Sequence, residues 1–203
     1  MSAAAAPVNS MAILNALLAT AAAYLIGSIP TGVLLARLFG WDDPRSHGSG
    51  HTGALNVSRR AGKAALAIVL LADALKGAAA VLIAPLMWAS PAAAPLAAVA
   101  AVAGHCWPVW LGFKGGMGLA TGMGAAAVYA WPALVFAGAA LALIRFTVLR
   151  HTPRAVIVAS LITVPAAWLM RFPPATFALV AGICALIAAR HTIDWNRRYE
   201  SPG

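Results

Sequence analysis

The residues best suited to chemistry in this chain are concentrated in three short polar stretches. The first is "SHGSGHTGALN" at 46–56. It sets Gly48, Gly50 and Gly53 around Ser49, His51, Thr52 and Asn56. Gly-rich turns let several backbone N–H groups approach one anion. Arg45 and Arg59 flank the stretch, and a guanidinium can grip a phosphate through two parallel hydrogen bonds. The second stretch, "GFKGGMGLATG" at 112–122, repeats the pattern with Lys114, Gly115, Gly116 and Gly118. The third, "RHTIDWNRR" at 190–198, supplies His191 and Asp194. A general base needs a pKa near working pH and hydrogen-bond reach, and His191 and His51 are the best placed for that work. The chemistry implied is the binding of phosphate groups beside a residue that can move a proton.

Other chemistries find less support. "GSGHTG" is not a G-x-S-x-G elbow, and no carboxylate cluster backs a Ser–His pair. No H-E-x-x-H or Cys/His spacing suggests a metal site, and no cofactor is implied. Cys106 and Cys184 lie in or beside apolar runs and read as small buried side chains. His105, beside Cys106 and Trp107, reads as a packing and hydrogen-bonding residue.

The elements that carry these stretches belong to a membrane protein. The chain has 203 residues, of which 62% are hydrophobic and 9% charged. A soluble domain carries about 25% charged residues, so there is too little polar surface here to coat a globule. Net charge is +9. The basic residues sit between apolar runs, which points to orientation, anionic substrates and lipids, not to nucleic acid.

A spanning helix needs about 20 apolar residues. Runs at 11–36, 64–87, 92–112, 154–170 and 174–190 meet that need. The run 118–149 is too long for one helix, and "AWP" at 130–132 divides it, because Pro disfavours helix in the preceding residue. The expected fold is all-α with seven spans, six being the runner-up count. No Lys or Arg precedes the first run, so the N-terminus is expected outside with that helix retained. Seven spans then place the C-terminus and all but Lys76 and Arg171 of the 14 basic residues on the inner side. The three polar stretches share that side. Within the second span, Asp73 and Lys76 stand at i, i+3 and can neutralise each other. Trp residues near the span ends fit an aromatic belt. Residues 1–203 read as a single membrane-embedded domain.

These motifs resemble a known family. "GSIPTGVLLAR" (27–37), "DDPRSHGSGHTGALNVSRRAGK" (42–63), "LLADALKG" (70–77), "GHCWPVWLGFKGGMGLATGMG" (104–124) and "RHTIDWNRR" (190–198) are similar, in order, to the bacterial acyl-phosphate:glycerol-3-phosphate acyltransferases. The resemblance implies a seven-helix inner-membrane enzyme with its active site facing the cytoplasm. It implies transfer of a fatty acyl group from acyl phosphate to the sn-1 hydroxyl of glycerol 3-phosphate, giving lysophosphatidic acid, without a metal. Ser49, Gly48, Gly50, Gly53, Asn56 and Arg59 match the family's first motif; Lys114, Gly115, Gly116 and Gly118 match the second; His191 matches the third. The resemblance thus implies catalytic roles for Ser49, Arg59 and His191. Substrate or phosphate binding would fall to the glycines, Arg45, His51, Asn56, Lys114 and Asp194.

Three departures stand out. His51 and Asp194 each replace an Asn of the family pattern, and Met117 replaces a Lys. Met117 removes a cation and Asp194 adds an anion where dianions should bind. They leave a second reading in view: a divergent, non-catalytic lipid- or phosphate-binding protein of the same fold, or an acyltransferase with a changed acceptor.

Overall fold

The structure is a computed structural model that describes residues 9–197; Arg198 of the third stretch lies outside them. It is all-helical among the described residues. The helices are α1 (Ser10–Ser28), α2 (Thr31–Phe39), α3 (Ala54–Met87), α4 (Ala93–Cys106), α5 (Leu119–Tyr129), α6 (Trp131–Leu143), α7 (Thr152–Leu169) and α8 (Pro174–His191). A π-helical turn, Ile144–Val148, extends α6, and a 3₁₀ turn, Thr192–Asp194, continues α8. Six helical stretches are long and apolar enough to cross a membrane, and Leu119–Tyr129 is a shorter apolar helix.

The helices approach closely because their contact residues are small. Lipid tails are as apolar as the side chains, so association rests on van der Waals packing of small residues. α1 packs on α4, α3 on α5 and α7 on α8. A side chain at Gly27 would strike the backbone of Ala101, and one at Gly124 the backbone of Ala74. The buried core is accordingly Ala- and Val-rich.

Three boundaries differ from the sequence reading, each for a local reason. The first apolar run is two helices, not one. Pro30 lacks an N–H and pushes Ile29 out of helical geometry, to ψ 116°. The break turns the Ile29 carbonyl out of the helical ladder, where it accepts from the Thr31 N–H at 2.9 Å and from Lys76 Nζ at 2.8 Å. The second run starts ten residues early, at Ala54, with Gly53 as the N-cap. The former loop residues Asn56 and Arg59 therefore ride on a helix, which bends at Gly62 (φ 81°). The third run ends its α-helix at Cys106, before Pro108, and a 3₁₀ turn covers Val109–Leu111. The division at "AWP" holds: Tyr129 ends α5, and α6 opens with Pro132 in its first turn.

Candidate active site

The first loop is held by its own last residue. Asn56, 3% exposed, accepts the Ser49 N–H at 2.9 Å through Oδ1. Its Nδ2 donates to the carbonyls of Pro44, His47 and His51. Asn56, expected among the substrate contacts, is the loop's internal fastener. Gly48 (φ 55°) lies against it: a Cβ there would strike Asn56 Oδ1 and come within 2.9 Å of Arg59 Cδ. Arg59 thus lies across the Gly48 backbone. Gly50 also has positive φ, 69°. The loop ends at the N-terminus of α3, where the helix dipole favours negative charge.

Arg45 faces the other way. Its guanidinium bonds Asp43, with Nη2 2.6 Å from Oδ2. That hydrogen bond holds the Asp43 carboxyl down at about 2. Arg45, expected on a phosphate, is an exposed partner of Asp43 at the loop's edge.

The second loop is pinned to α4. Gly115 N–H donates to Cys106 O at 3.2 Å and Gly116 N–H to His105 O at 3.0 Å. A Cβ on Gly116 would strike the His105 imidazole. These two glycines, expected to cradle an anion, serve close approach, and their N–H groups satisfy the carbonyls at the end of α4. Gly118 (φ 83°) fills the narrow space beside Val102 and Cys106. Lys114 remains exposed at the loop's mouth.

The end of α8 joins the two loops. Arg190, 8% exposed, donates from Nε to Gly116 O at 3.1 Å and lies over the Trp107 ring, 5.2 Å from its centroid. Four residues on, Asp194 Oδ2 lies 2.8 Å from His51 Nε2. Between them His191, 3% exposed, points Nδ1 at the Ile187 carbonyl, 2.8 Å away. A carbonyl only accepts, so Nδ1 carries the proton and Nε2 of the neutral ring keeps a lone pair. The turn after α8 is tied down from α7. Arg154 bonds Trp195 O and Asn196 Oδ1, both at 3.0 Å, and covers the Trp195 ring. His151 Nε2 reaches Arg197 O at 2.8 Å.

A buried polar cluster supports the site from beneath. Lys76 Nζ lies 2.8 Å from Asp73 Oδ1 and donates to the freed Ile29 carbonyl at 2.8 Å. Thr31 also donates to Asp73, and His105 Nδ1 faces it at 3.3 Å. The expected Asp73–Lys76 pair is present, with three further partners, Ile29 O, Thr31 and His105, that sequence did not supply.

An apolar groove of about 220 Å³ runs away from the site between α5, α6, α7 and α8. Leu119 and Ile187 line its near end, one turn from His191; Ala126, Thr163 and Val180 lie further along.

Loops rich in glycine and basic residues, closed by a helix end and opening on an apolar groove, define a membrane-embedded transferase that handles a phosphorylated and a lipid-like group together. The comparisons with known proteins make this specific. The family model described as glycerol-3-phosphate acyltransferase matches residues 17–200, and the chain belongs to that family. It is 43% identical over 175 residues to the glycerol-3-phosphate acyltransferase of Jannaschia sp. (strain CCS1), covering 86% of this chain and 85% of that one. The enzyme of Synechococcus sp. (strain JA-3-3Ab) is 43% identical over 188 residues, covering 89% of each. Among solved structures, the glycerol 3-phosphate form of PlsY (YgiH), an integral membrane glycerol 3-phosphate acyltransferase, superposes with a TM-score of 0.77 at 34% identity, covering 90% of both chains. Its lysophosphatidic acid form gives 0.75 at 32% identity, with the same coverage.

Proposed function

We propose that this member of the glycerol-3-phosphate acyltransferase family takes its acyl group from an acyl phosphate and delivers it to the sn-1 hydroxyl of glycerol 3-phosphate. The product is lysophosphatidic acid. The observation that carries the reading is the convergence of two Gly-rich loops and the end of α8 on one site beside an apolar groove.

Acyl phosphate is already activated, so the enzyme needs no nucleophile of its own. The acceptor hydroxyl attacks the carbonyl carbon, the C–O bond to phosphate breaks, and phosphate leaves with the electron pair. Two anions held side by side supply proximity. Arg59, Ser49 and the positive end of α3 offer donors to the departing phosphate and the developing oxyanion. Lys114 at the mouth draws in the acceptor's phosphate. His191 Nε2, with its lone pair set by the bond at Nδ1, receives or orients the hydroxyl proton. The donor's acyl chain lies in the groove, its carbonyl at the Leu119–Ile187 end.

The topology follows the same reading. Seven crossings, with the N-terminus outside, put all three polar stretches on the cytoplasmic face of the inner membrane. α5 completes a crossing with its non-helical approach, residues 113–118, whose Gly115 and Gly116 amides are satisfied by α4. Non-helical backbone at membrane depth requires such protein partners.

The test is acyl transfer from palmitoyl phosphate to labelled glycerol 3-phosphate by the purified chain, beside Ser49→Ala and Met117→Lys. Turnover in wild type that falls at least tenfold in Ser49→Ala supports the reading. No wild-type turnover, with activity gained in Met117→Lys, would mean an intact scaffold with a changed acceptor site. No turnover in any of them would refute the proposed reaction.

A further inference from the structure

His51 and Asp194 are 143 residues apart in sequence, yet His51 Nε2 and Asp194 Oδ2 lie 2.8 Å apart. Their side chains are 13% and 2% exposed. A carboxylate only accepts, so Nε2 carries a proton in the neutral ring. Asp194 Oδ1 faces Arg197 Nη1 at 3.5 Å. His191 approaches from α8, within electrostatic reach of both members of the pair and of Arg190, and Arg59 lies over the adjacent Gly48. The contact joins the first loop to the turn after α8. Read singly, Asp194 adds an anion to a site for dianions. Read with His51, that anion is hydrogen-bonded to the ring within the pair.

We propose that His51 and Asp194 act as one positioning unit whose charge sets the affinity for the phosphorylated acceptor. With His51 neutral the pair carries one negative charge. With His51 protonated it carries none. In either state the ring N–H engages the carboxylate, so the acceptor phosphate meets less of its charge than it would meet from a bare Asp194. This rests on the reading above that the acceptor carries phosphate.

The experiment measures KM for glycerol 3-phosphate at saturating palmitoyl phosphate. The proteins are wild type, His51→Asn and the double variant His51→Asn/Asp194→Asn. His51→Asn, whose carboxylate has lost its ring partner, should bind the acceptor about tenfold more weakly than the double variant, the effect of one partly screened charge. Wild type should fall between the two, because the ring N–H engages the carboxylate. KM should change by a larger factor than kcat, which separates acceptor binding from a damaged fold. A wild type that binds the acceptor no more tightly than His51→Asn, or a His51→Asn variant equal to the double variant, would overturn the proposal. If wild type fails to turn over glycerol 3-phosphate at any pH, the acceptor reading fails by itself. The pair is then read from the concentration of inorganic phosphate that protects each protein against thermal unfolding. The same order among the three supports it, and equal protection refutes it.

Discussion

Replacing Lys76 by Met tests the cluster under the site. Lys76 Nζ holds Asp73 Oδ1 and Ile29 O, each at 2.8 Å. Asp73 is 1% and Lys76 7% exposed. Met keeps most of the apolar stem and removes every donor. The carboxylate is then left with Thr31 and His105. Ile29 O still accepts the Thr31 N–H at 2.9 Å, so the backbone loss is small. Removing one partner of a buried ion pair costs about 3–5 kcal/mol. At about 2–4 °C per kcal/mol for a chain of this size, the melting temperature should fall by roughly 6–20 °C. The assay is thermal unfolding of the purified protein in detergent, followed by tryptophan fluorescence. Asp73→Asn/Lys76→Met should regain at least half of the loss, because it leaves no uncompensated charge and Asn still accepts from Thr31. A Lys76→Met protein within 2 °C of wild type would refute the reasoning, as would a double variant no more stable than the single.

Three further outcomes are expected. Arg190→Lys keeps the charge but loses the planar stack on Trp107 and the fixed Nε donor to Gly116 O; turnover should fall roughly 10- to 100-fold, with little change in melting temperature. Ala126→Phe fills the groove about 10 Å beyond Leu119, at 1.5 Å per helical residue. Each methylene kept out of the groove is worth about 0.8 kcal/mol, roughly fourfold, so kcat/KM should drop for palmitoyl phosphate and hold for decanoyl phosphate. The Asp43 carboxyl titrates near 2, below its ordinary 3.8, because Arg45 bonds it. A lowered value adds stability above pH 4 that is lost as pH falls towards 2. The pair is about 40% exposed, so the effect is small; Asp43→Asn should flatten that acid limb of a melting-temperature profile and lower the neutral plateau by no more than about 2 °C.

What could be read from the sequence depended on whether the signal was local. Apolar run lengths and the Pro132 break placed most helices within a few residues, because in lipid every span must satisfy its own backbone. The Pro30 break carried the same signal but stood inside an unbroken apolar run, and its consequence, a carbonyl freed for Lys76, depends on α3. The start of α3 at Ala54 was hidden because its first turns are polar and flank a Gly-rich loop. Glycine composition could not separate an anion cradle from close packing. Gly48 and Gly116 look alike in sequence, yet one makes room for Arg59 and the other for His105. Trp107 and Trp195 fitted an aromatic belt, but each lies under an arginine that organises the site. The pairing of His51 with Asp194 has no local signature. Two departures that stood apart in sequence are one contact.

The placement of these contacts explains why a short segment after α8 matters more than its length suggests. Residues 190–197 fasten the second loop through Arg190, the first through Asp194, and are themselves fastened to α7 through Arg154 and His151. A mechanism with an enzyme nucleophile tolerates some looseness, because the covalent intermediate fixes one substrate. Direct transfer between two bound phosphorylated molecules has no such anchor, and misplacement of an angstrom can cost on the order of 100-fold. The loops are glycine-rich and would be mobile alone. Their geometry is therefore inherited from the α8 terminus, where the negative end of the helix dipole also favours the Arg190 guanidinium. Substitutions along 190–197 should accordingly depress turnover while the helical bundle, which packs without them, stays folded.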